Sequence, residues 1–485
     1  MAAEQSKSAR APLPVSDHQP APYDGPSREE ILNLRREYLN PGIVTYYKEP
    51  LCIVEGHMQY LWDEKGKQYL DAIAGIVTVS VGHCHPKITE RVREQVGKLV
   101  HTTTIYLHPT IAQYARELAR RMPEGAGLQT SYFTSSGSEA NDLAVLMARL
   151  HTGRHEVVTL RNGYHGGSQS TMGLTAIGTW RYPVVAPAGA RHVAPGYCYR
   201  CPSGQTYPSC DMNCAYAVED VIRYETCGEI ACFIAEPIQG VGGAVVPPPE
   251  YFGIVYDIVR KYGGLCIADE VQTGFGRTGE HYWGFENWGV TPDMITMAKG
   301  IGNGAPLGGC VTKPEIAAHL ADRLHFNTFG GNPVSVLQGL TTLEIIDEEN
   351  IQQNAKEVGA YLKDRLLELQ DKYGGVGAAN QNPDHKGAAQ NQNPDRKGGP
   401  LIGEVRGLGL MIGVELVKNL QTKEPAIAET ADIVEQAKTR GLLLGKGGLH
   451  GNVIRIKPPM CITKDDCDFL TDCLDECLET VTNRS

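Results

Sequence analysis

Short apolar runs alternate with segments of helical periodicity along the central part of the chain. The apolar runs have the length of buried strands and cover residues 156–160, 230–235, 265–268 and 294–297. Residues 139–150 and 251–262 instead carry apolar side chains at helical spacing. This alternation predicts a three-layer α/β fold, in which helices cover both faces of a mainly parallel sheet. Ligands bind beyond the carboxyl ends of the strands in such sheets, so chemistry is expected directly after an apolar run.

Two segments lack this pattern. The first 28 residues are rich in proline, and we predict a disordered N-terminal segment there. Residues 374–400 contain an imperfect repeat without large apolar side chains, GAANQNPDHK from Gly377 and GAAQNQNPDRK from Gly387. A segment that cannot bury an apolar face is typical of a mobile surface insertion.

The charge balance limits the partners that are expected. The 485 residues include 45 Lys and Arg against 56 Asp and Glu, for a net charge of −11 and without a dense basic run. This balance disfavours a nucleic-acid partner. No apolar stretch reaches the roughly 18 residues of a membrane-spanning helix, so no membrane partner is expected. The 14 cysteines occur without a recognisable signal peptide, which favours a reducing compartment.

Asp269 and Lys299 each follow an apolar run and precede a glycine-rich turn. Taken alone, an aspartate at a strand end often caps a loop, and a lysine with an apolar stem often reaches the surface. Together, a carboxylate and an amine at strand ends suit a ligand with a basic ring nitrogen and a carbonyl that condenses with lysine.

A third feature is the start of the predicted helix, where Ser136, Gly137 and Ser138 follow an apolar run. Free N–H groups at a helix start favour a phosphate. Ser136 and Glu139 also fit an ordinary capping box, and the two interpretations are compatible.

A phosphate, a reactive carbonyl and a basic ring nitrogen occur together in pyridoxal 5'-phosphate (PLP), which is therefore the predicted cofactor. Asp269 would keep the ring nitrogen protonated, so that the ring withdraws electrons from the substrate. Lys299 would act as the base that moves the substrate proton.

The chain also resembles the class III PLP-dependent aminotransferases of fold type I, through motifs that occur in the same order. These motifs are GHCHP at Gly82, SGSEAND at Ser136, YHG at Tyr164, AEPIQG at Ala235, IADEVQTGFGR at Ile267, AKGIGNG at Ala298, TFGGNP at Thr328 and VRGLGLMIG at Val405. The resemblance runs from about residue 41 to residue 462 and is closest to the mitochondrial alanine–glyoxylate branch of the family. It therefore implies a mitochondrial location, with a cytoplasmic location as the alternative.

The resemblance implies a large PLP-binding domain at residues 85–340. A smaller α+β domain would be assembled from residues 29–84 and 341–485, the second part carrying the insertion. It also implies a homodimer whose active sites are shared across the interface, with a tetramer left open.

Family roles transfer to matching positions of this chain. Gly137 and Ser138 match the phosphate cradle, Tyr164 the ring stacked on the cofactor, and Gln272 the amide near the cofactor's phenolic oxygen. Thr328 matches a threonine that reaches the phosphate of the neighbouring subunit's cofactor. The full set of predicted cofactor contacts is Ser136, Gly137, Ser138, Tyr164, His165, Glu236, Asp269, Gln272, Lys299 and Thr328.

For the substrate, the resemblance implies Tyr46 and Arg406. Arg406 matches an arginine that binds the substrate carboxylate through a bidentate pair, although an ion pair with Glu404 or Glu415 is the structural alternative. Ornithine and GABA-type members carry a glutamate that masks this arginine, where this chain has Val241. We therefore expect small amino acids such as alanine as donors and small 2-oxo acids such as glyoxylate as acceptors.

Two other reactions fit the same family. One is transamination of β-alanine or β-aminoisobutyrate with pyruvate, and the other is elimination of phosphate from a phosphorylated amine. A non-catalytic binding module is disfavoured, because Asp269, Gln272, Lys299 and Arg406 are all present.

Four cysteines form a separate cluster with the spacing C-x2-C-x8-C-x3-C, at Cys198, Cys201, Cys210 and Cys214. The spacing between the two pairs is shorter than in common zinc ribbons, so zinc binding competes with free or redox-active thiols. We predict a structural role and no metal site.

Overall fold

The computed structural model describes residues 10–183, 189–374 and 399–484. The strands in these ranges are β1 (Ile53–His57), β2 (Tyr60–Asp63), β3 (Gln68–Asp71), β4 (Thr130–Thr134), β5 (Val157–Leu160), β6 (Ala190–Val193), β7 (Cys232–Ala235), β8 (Leu265–Asp269), β9 (Met294–Met297), β10 (Gly308–Thr312), β11 (Leu401–Leu408), β12 (Met411–Val417), β13 (Leu442–Leu443), β14 (Gly445–Gly447) and β15 (Val453–Ile456).

The α-helices are α1 (Arg28–Tyr38), α2 (Ala74–Val77), α3 (Pro86–Lys98), α4 (Pro109–Arg120), α5 (Gly137–Thr152), α6 (Gln169–Leu174), α7 (Asn213–Glu225), α8 (Tyr251–Lys261), α9 (Pro314–Ala318), α10 (Pro333–Glu348), α11 (Ile351–Gly374), α12 (Ile427–Thr439) and α13 (Lys464–Thr482). Short 3-10 helices cover Gly178–Trp180, Gly284–Trp288, Lys299–Gly302 and His319–Asp322.

A seven-stranded sheet in the order β4-β10-β9-β8-β7-β5-β6 lies at the centre of the fold. Strands β5 to β9 pair in parallel, and β10 runs antiparallel to both β4 and β9. The predicted α/β fold with a mainly parallel sheet is therefore confirmed. The four apolar runs coincide with β5, β7, β8 and β9, and the two helical segments with α5 and α8.

Both faces of this sheet are covered. Successive residues of a strand point to opposite faces, and in β7 Phe233 packs in a cluster with residues of α7 and α8, whereas Ile234 packs in a cluster with residues of α5. Since every strand residue of β7 is buried, the strand is apolar throughout rather than alternating.

The two ends of the chain build two smaller sheets, in the orders β1-β2-β3-β13 and β11-β12-β15-β14. In the first of them, β13 from the C-terminal part pairs in parallel with β3 from the N-terminal part. Helices α11 and α13 pack on each other, and α11 also packs on β11. The domain boundaries that the sequence suggested stay predictions.

The described part of the predicted disordered N-terminal segment differs from that expectation. Arg10 lies 2.5 Å from Glu476, the Ala11 N–H donates to Asp472, and the ring of His18 stacks on His57 at 4.7 Å. These partners lie far away in the sequence, so composition could not reveal them. Residues 1–9 and residues 375–398 of the predicted insertion lie outside the described residues.

No helix in the described ranges is long and apolar enough to cross a membrane.

Candidate active site

The candidate site lies at the carboxyl edge of the central sheet, where parallel strands end together. Asp269 is the last residue of β8, Glu236 follows β7 directly, and Lys299 stands two residues beyond β9. Ser136 lies two residues beyond β4 and Tyr164 four residues beyond β5. The fold therefore gathers residues that are up to 163 positions apart at one edge of the sheet.

Asp269 is held by a buried network and is itself only 2% exposed. Its Oδ2 accepts a hydrogen bond from Asn141 Nδ2 at 2.8 Å and lies 2.7 Å from Nδ1 of His165. Its Oδ1 accepts from the Val271 N–H at 3.2 Å. The other ring nitrogen of His165 lies 3.1 Å from Thr159 Oγ1. Contacts to both oxygens hold this carboxylate in one orientation, which suits the role of partner to a protonated ring nitrogen.

Lys299 has a left-handed backbone, with φ of 51°. Burial lowers the pKa of its amine, while the carboxylates of Asp269 and Glu236 act in the opposite direction and Arg455 adds to the lowering. Its Nζ donates no hydrogen bond to any described residue. A lysine with a lowered pKa supplies more of the neutral amine at physiological pH, which is the form that attacks a carbonyl or accepts a proton.

The start of α5 provides the predicted phosphate cradle. Ser136 is the N-cap residue, its Oγ accepts from the Glu139 N–H at 3.2 Å, and its hydroxyl donates to the Glu139 carboxylate. Ser136 thus caps α5, but the full capping box is not formed, because the Glu139 carboxylate accepts from the Ser135 N–H instead of the Ser136 N–H. This cap leaves the first-turn N–H groups of Gly137 and Ser138 without partners inside the helix, so the two interpretations are compatible. Ser138 Oγ accepts from the Gly167 N–H at 3.0 Å.

Glu236 and Tyr164 lie on neighbouring segments of this edge. Glu236 is buried, and its two oxygens accept from the N–H groups of Tyr164 at 3.0 Å and Gly240 at 2.8 Å. Burial raises the pKa of the Glu236 carboxyl. The Tyr164 ring meets Trp180 edge to face, with ring centroids 5.2 Å apart. Glu236 therefore orders the loop that carries the aromatic ring.

Gln272 is 5% exposed, and its Oε1 accepts from Lys457 Nζ at 2.9 Å. A Cβ on Gly240 would lie 2.3 Å from the same oxygen, so only glycine at 240 leaves room for this amide. The amide nitrogen of Gln272 donates to none of the described residues. The NH2 group is therefore available to a ligand.

Arg406 lies in the ion pair that the sequence left open as an alternative. Its Nη1 bonds to Glu404 and lies 2.7 Å from Glu415 Oε2, while its Nε donates to the Gly243 carbonyl at 2.9 Å. Its guanidinium also stacks over the ring of Tyr197, 4.9 Å from the centroid. Burial lowers the pKa of Arg406, but Tyr197, Glu404 and Glu415 outweigh burial and raise it. The geometry favours a structural role for Arg406 over the predicted substrate contact.

Arg455 is a second, half-buried arginine of the site, and sequence reasoning missed it. It lines a cavity of about 740 Å³ together with Tyr46, His83 and Gly445. Its Nε is buried without a hydrogen-bond partner, and its Nη1 donates only to the Gly240 carbonyl at 3.4 Å. Among the described residues no carboxylate forms an ion pair with it. A guanidinium in this state can accept a substrate carboxylate without first breaking an ion pair.

A family model described as aminotransferase class-III matches residues 44–381 and 378–478. The chain belongs to the class III aminotransferases. A curated relative from Arabidopsis thaliana, named alanine–glyoxylate aminotransferase 2 homolog 2, mitochondrial, is 47% identical over 97% of this chain and 92% of that protein. The name supports a mitochondrial location for this aminotransferase by resemblance.

Two solved structures are also similar to this aminotransferase. One is an amine transaminase from an uncultivated Pseudomonas species in its PLP-bound (internal aldimine) form, with 29% identity, a TM-score of 0.81, and coverage of 92% of this chain and 99% of that one. The other is a phospholyase from Arthrobacter in complex with phosphoethanolamine, with 30% identity, a TM-score of 0.81, and coverage of 93% and 99%.

The family and the PLP-bound neighbour support PLP as the cofactor of this class III enzyme. The residues fit that group on three observations of the chain itself. These are the anchored carboxylate of Asp269, the amine of Lys299 without a hydrogen-bond partner in the described chain, and the open first turn of α5 at Gly137. The individual roles of the predicted cofactor contacts stay predictions.

The short alternating sequence V-I-R-I-K was the signal that could have revealed Arg455 and Lys457. Residues i and i+2 of a strand lie on one face of the sheet. Arg455 and Lys457 have this spacing in an otherwise apolar run, which indicates that their cationic side chains lie side by side. Both residues approach the carbonyl of Gly240.

The four clustered cysteines lie between β6 and the first turn of α7, and all are partly buried free thiols. Burial and the neighbouring thiols raise the pKa of Cys198 to about 12. In the described chain no group of His, Cys, Asp or Glu is arranged to hold a metal ion. The structural role of this cluster stays a prediction.

Proposed function

We propose that this protein transfers the amino group of a small amino acid, with alanine as the expected donor, to a small 2-oxo acid such as glyoxylate. The observation that carries the proposal is the open guanidinium of Arg455, which lines the cavity beside Tyr46 and has no carboxylate partner among the described residues. The 47% identity to a protein named as an alanine–glyoxylate aminotransferase supports the same substrates.

The residue at position 241 supports this specificity. Val241 directly follows Gly240, whose carbonyl accepts from Arg455. A valine cannot pair with a guanidinium, so Arg455 stays open to the carboxylate of an α-amino acid. The masking argument that the resemblance attached to Arg406 therefore applies to Arg455. Arg406 is neutralised by Glu404 and Glu415 instead.

The chain's own residues divide the work of the reaction. When bound, PLP withdraws electrons from the substrate's α carbon. Asp269 holds the proton of the ring nitrogen, and His165 and Asn141 fix the orientation of that carboxylate. Lys299 would accept the proton from the α carbon and deliver it to the cofactor, and it would move a proton in the opposite direction when the 2-oxo acid is aminated. Arg455 orients the substrate by its carboxylate, so that the reacting bond is presented in one geometry.

A homodimer is part of the proposal. Thr328 is exposed, Phe329 beside it is 62% exposed, and Tyr106 and Leu107 expose 68% and 105% of their reference surfaces. The two segments are neighbours, because the ring of His101, five residues before Tyr106, lies 5.6 Å from that of Phe329. Apolar side chains exposed to this degree are typical of a protein interface. A partner subunit at this surface would let Thr328 reach the neighbouring cofactor's phosphate.

Spectral titration of the purified, PLP-loaded enzyme tests the function. Alanine should remove the visible absorbance band of the bound cofactor, and glyoxylate should restore that band. The Lys299→Ala variant is the control and should show neither change. A similar response to β-alanine with pyruvate would move the enzyme to the β-amino acid class.

The similarity to a phospholyase favours phosphate elimination as the second candidate. A response to phosphoethanolamine alone, with release of inorganic phosphate and no transfer of the amine, would overturn the transferase in favour of this lyase.

A further inference from the structure

Lys457 is a buried lysine that the proposed reaction does not use. It follows β15 directly and is 2% exposed, and its backbone N–H donates to the Ala72 carbonyl at 2.8 Å. Its Nζ donates to Gln272 Oε1 at 2.9 Å and to the Gly240 carbonyl at 3.2 Å. No carboxylate of the described chain forms an ion pair with it. A buried amine with only neutral acceptors adds little to stability, which points to a role in the site.

The contact with Gln272 determines which way its amide faces. An amide side chain has an accepting oxygen and a donating NH2 group, and an ammonium can only donate. With Lys457 on one side, the oxygen of Gln272 is fixed toward the lysine. The NH2 group then faces away from Lys457 and donates to none of the described residues.

We propose that Lys457 is a positioning residue, whose side-chain amine fixes the Gln272 amide so that its NH2 group donates to the phenolic oxygen of PLP. The inference rests on PLP binding and on the predicted role of Gln272, but not on which amino acid is the donor. Lys457 touches neither substrate nor cofactor in this scheme, and it acts through Gln272.

The orientation of Gln272 does not depend on the charge of Lys457. Burial lowers the pKa of Lys457 well below the usual range for lysine, Arg455, Lys299 and Arg277 act in the same direction, and Glu236 opposes them. A neutral amine still has two N–H groups for its two acceptors, Gln272 Oε1 and the Gly240 carbonyl. Loss of Lys457 removes this donor and frees the amide to turn, and a phenolic oxygen without an oriented donor is more basic.

The test is a pH titration of the visible absorbance of PLP-loaded enzyme, without any substrate. Lys457→Met keeps the length of the side chain and removes its donors, and it should move the spectral midpoint upward by about one pH unit. Lys363→Met is the control, because Lys363 is a half-buried lysine that likewise donates to a backbone carbonyl, that of Gly407. It should leave the midpoint unchanged.

A double-mutant cycle separates positioning from charge alone. If Lys457 acts through Gln272, the shift caused by Lys457→Met should shrink at least twofold in a Gln272→Leu background. An equal shift in both backgrounds would overturn the positioning role, as would no shift in Lys457→Met itself. If Lys457→Met does not fold, Gln272→Glu is the second variant, since its carboxylate would pair with Lys457 and offer no donor. Its midpoint should rise, and an unchanged midpoint would overturn the proposal.

Failure of this inference and failure of the proposed function give different results. The spectral midpoint needs bound PLP only, so it can shift as expected in an enzyme that does not accept alanine. Conversely, an active alanine–glyoxylate aminotransferase whose midpoint ignores Lys457 would keep the function and reject the positioning role.

Discussion

Arg406 and Glu415 form a buried ion pair across neighbouring strands β11 and β12, with Arg406 Nη1 2.7 Å from Glu415 Oε2. Glu415 also bonds to Arg200 and Tyr197, so its carboxylate is surrounded by donors. Arg406 reaches Glu404 as well. The ion pair joins β11 and β12 to the segment after β6, and this arrangement supports a structural role for Arg406.

Replacement of Arg406 should therefore act on stability. Arg406→Met leaves Glu415 buried with fewer donors and should cost about 3 kcal/mol of the free energy of unfolding. The KM for alanine should change less than about threefold, because the variant keeps Arg455. Denaturant unfolding and steady-state kinetics on the same preparation check both expectations. A KM raised more than tenfold at unchanged stability would return Arg406 to the role of substrate ligand.

Arg455 should behave in the opposite way. Arg455→Met removes the cation that lines the cavity beside Tyr46 and should lower kcat/KM for alanine by roughly 10- to 100-fold, the worth of charge-assisted hydrogen bonds. Arg455→Lys keeps the charge but cannot form the bidentate pair, so it should recover only part of this loss. A donor amine without a carboxylate is the control, because its kcat/KM should not depend on Arg455. Equal losses for both donors would contradict carboxylate binding.

The sequence revealed the strand ends that carry Asp269 and Lys299, because each is marked by an apolar run followed by glycines. The sequence did not distinguish Arg406 from Arg455, because both stand in strands of the β11-β12-β15-β14 sheet. Only the fold determines which of the two forms ion pairs with carboxylates of the chain. A motif match also could not reveal which residue His165 contacts. In the structure, Nδ1 of His165 lies 2.7 Å from Oδ2 of Asp269. Long-range packing decides such roles, and local patterns do not record it.

The Asp269 network gives a third prediction. Asp269→Asn keeps the size of the side chain but cannot stabilise a protonated ring nitrogen, so kcat should fall by about 10² to 10³. His165→Phe removes one contact to Oδ2 and should have a smaller effect, because Asn141 still donates to the same oxygen. Single-turnover measurements with alanine separate the chemical step from binding. If Asp269→Asn raised only the KM, the carboxylate would be a binding group instead.

Glu270, next to Asp269, gives the fourth prediction, which concerns stability against pH. Glu270 is fully buried, and burial raises the pKa of its carboxyl from 4.5 to about 7, although Thr273 and the N–H groups of Gly284 and Phe285 donate to it. Because its pKa is higher in the folded state than the unfolded value of 4.5, the protonated carboxyl favours folding, and this contribution is fully present below pH 4.5. The contribution, roughly 3 kcal/mol, is lost as the pH rises through about 7.

The sign of this pH dependence can be tested with two variants. Glu270→Gln cannot ionise, so its free energy of unfolding should lose this decrease between about pH 4.5 and pH 7, measured as the difference from the parent enzyme. Thr273→Val removes a hydrogen bond that favours the ionised form, so the decrease should extend to higher pH. The same slope in Glu270→Gln and the parent would show that other groups control the pH dependence. A decrease that shifts to lower pH in Thr273→Val would contradict the effect assigned to this hydrogen bond, since the hydroxyl would then favour the protonated form.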